Sequence, residues 1–278
     1  MKKYLILFCA MLLMITGCSQ SSPNQDAFDV LKAAFEKINS VKSLKQTSTL
    51  TGTQFDQYGE GVGQISRSAS GTDVYFKTDK TTYTIMTSTE DNFTPLLVDY
   101  YQNGQRKEIS GWIEGSSYYF SSFFDLGTDD ISNYITTPFL EDSKYLQCYE
   151  FTQTKTDNEI VIVGDLVDSQ KYAELEKERL TKIHSDYDPL IASNGIKFTK
   201  HDYNELDYEF HINQEGMITS YSIITKTDYG VGYDDVTFKV TLSDFNAISL
   251  NTQKLDQLLL DINSGMITNG ASISQYFS

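Results

Sequence analysis

Between Asp207 and Ser243 the chain alternates, and the alternation leaves few folds open to it. Tyr208, Phe210 and Ile212 are interleaved with Asp207, Glu209, His211 and Asn213. Gln214-Glu215-Gly216 makes a turn and Met217 to Thr225 returns. Asp228 to Asp235, with Gly230 and Gly232, turns again, and Val236, Phe238, Val240 and Leu242 then alternate with Thr237, Lys239, Thr241 and Ser243. A period of two puts every second side chain on one face, so these runs predict a three-stranded antiparallel meander with one apolar face. That face needs a cover, and the most economical cover is an amphipathic helix.

The rest of the chain supplies both helices and further strands. Asp26 to Val41 carries Phe28, Leu31, Phe35 and Ile38 at helical spacing, with Asp26 placed to cap it. Leu44 to Phe55 is threonine-rich and lacks helix formers. Gly59, Gly61 and Gly63 mark an irregular stretch. Ile65 to Ser70, Asp73 to Thr78 and Thr81 to Thr87 read as short strands, broken at Gly71-Thr72 and Asp79-Lys80. Asn103-Gly104, between strand-like runs, is the strongest local hairpin signal, because both central residues of its turn need positive φ. Thr128 or Asp129 could cap a short helix carrying Ile131, Tyr134 and Ile135, stopped by Pro138. Tyr145 to Thr154 and Glu159 to Val167 read as strands joined at Asp157-Asn158. Ile160 to Val163 is apolar on both faces, so this strand is expected to be covered on both. Gln170 to about Tyr187 forms a second long helix, and the chain breaks at Asp188-Pro189 and Asn194-Gly195. Leu255, Leu258, Leu259 and Ile262 make the stripe of a last helix. Beyond it Ser264 to Ser278 is polar and is expected to be loosely ordered.

The first residues carry a different signal. Lys2 and Lys3 precede an apolar run from Tyr4 to Ile15. The run is too short to span a bilayer, which takes about 20 residues, and it has the form of a secretory signal. It ends in Ile15-Thr16-Gly17-Cys18, which resembles the lipobox of bacterial lipoproteins. The resemblance implies cleavage after Gly17 and a diacylglyceryl group on the Cys18 thiol. Residues 1–17 are then a signal peptide and 18–25 a lipid-anchored tether. The protein is expected at a cell membrane, on its extracytoplasmic face. The formal charge of −16 excludes attraction to nucleic-acid phosphates or anionic headgroups, so contact with the membrane is expected through Cys18. Cys9 leaves with the signal, which leaves Cys148 without a disulfide partner. It reads as a half-buried strand residue.

The entry helix and first strand, AFDVLKAAFEKINSVKSLKQTSTL, the hairpin YYQNGQRKEIS and the closing run from YEFHINQEG to VTFKVTLSDFN follow one another in the order of the LolA-like lipoproteins of bacterial envelopes, which this chain resembles. The resemblance covers most of Asp26 to Asn246. It implies an α+β domain over 26–262, a curved antiparallel half-barrel with helices packed on its concave side. The space between sheet and helices could hold an acyl chain. The residues placed to line it are Phe28, Leu31 and Phe35 from the helix and Tyr208, Phe210, Ile212, Phe238 and Val240 from the sheet. The same residue types are also those of an ordinary packed core. The helix through Leu255 and Ile262 and the tail of 263–278 depart from the family pattern, and could close the half-barrel.

No catalytic signature is present: no G-x-S-x-G, Ser-x-x-Lys, H-E-x-x-H or phosphate-binding loop. His184, His201 and His211 lack a matching nucleophile or second ligand in sequence. The acidic groups at Asp129-Asp130, Asp186 with Asp188, and Asp228, Asp234 and Asp235 lack EF-hand spacing. No cofactor or metal is implied. Tyr118, Tyr119, Phe120, Phe123 and Phe124 are nearly consecutive, and suit either an exposed partner surface or alternate burial in a strand. The function expected is non-catalytic binding of an apolar ligand, a lipid or a lipidated partner. The alternatives are a cell-envelope scaffold with a closed core and, less favoured, an envelope enzyme using His211 or His201.

Overall fold

The computed structural model describes residues 23–55, 64–89, 94–127, 137–183, 200–230 and 232–278. Helix α1 (Pro23–Asn39) leads into six strands: β1 (Ser43–Phe55), β2 (Gln64–Lys77), β3 (Thr81–Thr89), β4 (Thr94–Gln102), β5 (Gln105–Glu114) and β6 (Ser117–Gly127). A short helix α2 (Pro138–Glu141) and a 3-10 turn (Ser143–Cys148) precede β7 (Tyr149–Lys155), β8 (Glu159–Leu166) and helix α3 (Ser169–Ile183). The predicted meander follows as β9 (Asp202–Asn213), β10 (Ile218–Asp228) and β11 (Tyr233–Ser243), then helix α4 (Thr252–Asn263) and a final 3-10 turn at Ser274–Tyr276.

All eleven strands form one antiparallel sheet in the order β6-β5-β4-β3-β2-β1-β11-β10-β9-β8-β7, with β6 and β7 at its ends. The sheet is not closed. Its two meanders join where β1 pairs β11, from Lys45 opposite Ser243 to Thr53 opposite Asp235. Asn103 and Gly104 both have positive φ (53° and 76°), as the β4–β5 turn requires. A register shift between Ser110 and Gly111 brings β6 so close that a Cβ on Gly111 would lie 2.0 Å from the Tyr119 carbonyl oxygen, so only glycine fits there.

Two separate hydrophobic cores flank this sheet. The first gathers Ala27, Leu31, Ala34, Phe35 and Ile38 of α1, Tyr172 and Leu175 of α3, and inward residues of β7 to β11, β1 and β2. The second gathers Tyr83, Leu96, Val98, Tyr100, Ile109 and Phe120 with Leu255, Leu258 and Leu259 of α4. Register places them on opposite faces. Tyr75 of β2, opposite Leu44, belongs to the first core, whereas Phe76, opposite Tyr83, packs against the second. Asp256 pins α4 to the second face by accepting from the Tyr83 hydroxyl at 2.8 Å and the Tyr100 hydroxyl at 2.7 Å.

Several expectations are corrected. The helices do not share one side: α1 and α3 cover one face and α4 the other, so α4 does not close the space under α1. The tail is packed rather than loose. Ile273 is buried, residues 270–274 hydrogen-bond along the β6 edge, Phe277 stacks on Tyr118 at 4.7 Å, and Tyr276 donates to Asp261. Gly71-Thr72 does not break β2, because both neighbouring strands pair through it. Tyr145 to Cys148 is a 3-10 turn capped by Asp142 rather than strand, so Cys148 is a fully buried turn residue. Pro138 opens a short helix, at the position where its missing N–H is harmless, while the segment it was expected to end lies outside the described residues. α1 starts at Pro23, which takes Pro23 to Gln25 out of the tether and puts Asp26 in the first turn instead of at the cap. In β8 only Ile162 of the Ile160–Val163 run is sealed, and the other three are half-buried. Cys18, Gly59 to Gly63, the helix at Thr128 to Ile135, His184, Asp186 to Pro189 and Asn194-Gly195 lie outside the described residues.

Candidate ligand-binding face

The structure brings the eight candidate lining residues together on the α1 side of the sheet. The α1 stripe lies on the apolar side of the meander because both present one face, and Phe35 meets Phe210 edge-on at 5.6 Å. Leu31 and Phe210 are fully buried, and Phe35, Tyr208, Ile212 and Val240 nearly so. Phe28 and Phe238 are half-buried at the margin, Phe28 at 5.8 Å from Phe151. These side chains fill the space between α1 and the sheet in the form described. Three cavities lie elsewhere: about 510 Å³ between the start of α4 and the tail, about 430 Å³ at the β10–β11 turn, and about 250 Å³ between Asp142 and α3.

Sequence reasoning missed the aromatic residues that extend this core. Phe139 of α2 packs at 5.2 Å from each of Tyr149, Phe151 and Tyr208. Tyr172 of α3 lies 5.5 Å from Tyr145 and 4.9 Å from Tyr203. Phe139 sits on a four-residue helix with no periodicity to announce it. The only signal was Pro138 followed by two apolar residues. At the rim, Glu176 accepts from Tyr145 at 2.6 Å and receives Arg179 bidentately at 3.0 and 2.9 Å, which offsets the burial of its charge. Burial, reinforced by the Glu176 charge, pushes the Tyr145 phenol well above its ordinary value.

The same sheet face continues past α1 onto β1 to β6, and its chemistry changes from apolar to polar. Gln46 donates to Asp73 at 3.1 Å, and burial raises the Asp73 carboxyl against the lowering effect of that bond. On β4, Asp99 is 4% exposed and pairs through Oδ2 with Arg106 at 3.0 Å. Its Oδ1, the Arg106 Nε and the Gln46 Oε1 are buried without hydrogen-bond partners. Register sets Asp99 directly opposite Glu108 of β5, and Glu108 opposite Phe124 of β6.

The histidines do not converge. His211, near the end of β9, is held by Glu159 at 3.1 Å through Nδ1 and by Glu209 at 3.0 Å through Nε2. Burial opposes its protonation, but these hydrogen bonds and charges outweigh it and raise the imidazole above its ordinary value. The carboxylates sit at opposite edges of the ring, so they do not meet at a common point. His201, just before β9, stacks on Tyr203 at 5.0 Å. At the β10–β11 turn, Asp228 is held by Lys200 at 2.5 Å and by the Gly230 amide, and both lower its carboxyl. Asp234 accepts from Tyr229. Among the described residues no cluster of three acidic, histidine or cysteine ligands is placed to hold a metal. The Tyr118–Phe124 run is a strand with mixed burial: Phe120 is sealed, Tyr119 stacks on Trp112 at 5.4 Å, and Phe124 is exposed.

No family model matches the chain, and no curated protein matches it. The solved structures that are similar at a distant level include the following three. A porin-like protein from Bacteroides uniformis is 9% identical, covers 73% of this chain and 97% of its own, and has a TM-score of 0.24. The ywiB protein from Bacillus subtilis is 8% identical over 74% of this chain and 97% of its own, with a TM-score of 0.18. A β-barrel-like protein of a domain of unknown function from Brucella abortus is 12% identical over 73% of this chain and 99% of its own, with a TM-score of 0.20. Scores of this size assign neither a family nor a function.

Proposed function

We propose that this protein is a non-catalytic, LolA-like lipoprotein of a bacterial envelope, anchored through lipid on Cys18 at the extracytoplasmic face of a membrane, and that it takes an apolar ligand between α1 and the sheet. One observation carries the reading. Every buried residue of α1 (Ala27, Leu31, Ala34, Phe35 and Ile38) is apolar, and the helix lies across an aromatic sheet face that is not closed into a barrel. Between a polar tie at each end, Asn24 to the Phe151 amide and Lys37 to the Glu215 carbonyl, the seat of the helix is apolar, and such a seat can exchange its contacts for an acyl chain at little net change, since both bury similar area. In the form described that space is filled by the side chains of the protein, so uptake requires α1 to move outward. Among the described residues no helix is long and apolar enough to cross a membrane, and lipid on Cys18 would supply the attachment. One exposed chain gives weak, reversible binding and two give stable anchoring.

The complete burial of Leu31 and Phe210 favours a second reading, a closed core whose protein works as an envelope scaffold through its outer surface. Native mass spectrometry on the whole chain, expressed in a bacterial host and released from mild detergent, separates the two. A lipid mass retained on the folded chain and lost on denaturation supports the ligand-binding reading. A bare polypeptide that takes up no added phospholipid sinks it and leaves the scaffold.

A further inference from the structure

The ligand-binding reading says what could lie under α1, and the polar part of the same sheet face says what could be attached to it. Three groups stand in one row across β4, β5 and β6: Asp99, Glu108 and Phe124. Directly opposed residues have Cβ atoms about 5 Å apart, and like charges so placed repel. Arg106 supplies one positive charge against these two carboxylates, through its ion pair with Asp99 Oδ2 at 3.0 Å. The other oxygen of Asp99, an acceptor on a side chain more than nine-tenths buried, has no donor. Glu108 already accepts from Ser110 at 3.2 Å, so what the row lacks is a donor at Asp99 Oδ1 and one positive charge. Phe124 ends it with a ring 48% exposed, whose face attracts a cation. Both anionic groups and the ring favour a cation, and an anionic headgroup would meet two carboxylates. α1 and α3 make their main contacts on β7, β9 and β10, so among the described helices neither is centred over this row.

We propose that the Asp99–Glu108–Phe124 row binds a primary ammonium group, either as a free amine or as the amino headgroup of a lipid whose chains lie under α1. The second form rests on the apolar-ligand reading and the first does not. The ammonium donates to Glu108 and lies against the Phe124 ring, and it reaches Asp99 Oδ1, sealed from solvent in the form described, when the side chains over that oxygen move aside. Arg106 keeps its bond to Asp99 Oδ2.

The test is titration of the whole chain with ethanolamine, and with ethylene glycol as the neutral counterpart of similar size, followed by amide chemical shifts. Saturable shifts near Asp99 and Glu108 are expected, with ethanolamine preferred about tenfold or more, a difference of about 1.4 kcal/mol. Glu108→Gln, at a half-buried position, should weaken it several-fold without touching the fold, and Asp99→Asn should do so more strongly. Equal responses to the two probes, or a response unchanged in Glu108→Gln, overturns the proposal. Mixed micelles of phosphatidylethanolamine or phosphatidylglycerol distinguish the sources: a preference for the former far above that for free ethanolamine identifies a lipid head, and parity with it identifies a free amine. Uptake of a fluorescent fatty-acyl probe is read in parallel. Amine binding without acyl uptake removes the apolar-ligand reading and leaves this site standing, and acyl uptake without amine preference does the reverse.

Discussion

Tyr75 and Phe76 are neighbours in the chain and belong to different cores. Tyr75 faces α1 and its aromatic layer, and Phe76 faces the layer under α4. Strand geometry makes this unavoidable, since successive side chains point to opposite faces. β2 is the strand on which cover passes from one side of the sheet to the other. The strands on one side of it need α1 and α3, and those on the other side need α4 and the tail. Asn246 helps fix that crossing, with its backbone N–H bonded to the Ser43 carbonyl and its side chain accepting from Lys42.

Two cores separated by a sheet should respond independently to substitution. Leu31 and Leu258 are both fully buried, one in each core. Leu31→Ala and Leu258→Ala should each cost about 2–5 kcal/mol, and the double variant should equal their sum within about 0.5 kcal/mol. Urea unfolding monitored by circular dichroism checks this. A coupling above about 1 kcal/mol would show that the cores communicate through the sheet.

The tail offers a sharp contrast between sequence and structure. Ile273 is fully buried against the second core, so Ile273→Ala should cost about 2–4 kcal/mol. Substitutions on a loosely ordered tail change stability by about 0.5 kcal/mol or less. The midpoint of chemical unfolding tells the two apart. Because the tail also covers part of the β6 edge, its removal should promote association of the chain, visible by sedimentation.

Legibility followed the range of the interactions involved. The Asn103-Gly104 turn, the meander from Asp207 and the stripe of α4 are local patterns, and each lies where the sequence places it. Gly71-Thr72 looked like a break because glycine weakens an isolated strand, but β1 and β3 hold it from both sides. The 3-10 turn at Tyr145–Cys148 has strand composition, and tertiary burial of Tyr145 and Cys148 overrides it. The tail is polar in composition, yet Ile273 and Tyr276 at spacing three suffice to seat it. Which face α4 covers is set by register across β1, β2 and β3, and no periodicity within one segment contains that information. The Asp99 row was invisible for the same reason, since its members come from three strands and only pairing aligns them.

His211 gives a pH dependence whose sign is fixed by its neighbours. Glu209 and Glu159 raise its folded value above the ordinary 6.5. Its contribution is therefore fully present below about pH 6.5 and is lost as pH rises through the raised folded value. The stability difference between the native chain and His211→Gln should be greatest in mild acid and narrow above pH 6.5. Unfolding midpoints measured for both chains from pH 6 to pH 9 check this. A gap that widens with pH would mean that His211 is held neutral.

α1 is tied at both ends by polar contacts. The Asn24 side chain accepts from the Phe151 amide at 2.7 Å on the β7 edge, and the Lys37 ammonium donates to the Glu215 carbonyl in the β9–β10 turn. The helix residues buried between these ties are apolar. If ligand uptake needs α1 to move outward, the ties set how often it does. A hydrogen bond contributes about 1 kcal/mol, so removing both with Asn24→Ala and Lys37→Ala should speed hydrogen exchange of the α1 amides about tenfold or more. β9, held by two neighbouring strands, should keep its protection. On the proposed function, uptake of an acyl probe should accelerate with α1 exchange. Faster exchange with unchanged uptake would mean that α1 is only a lid on a closed core, whereas unchanged exchange would mean that the apolar seat alone holds it.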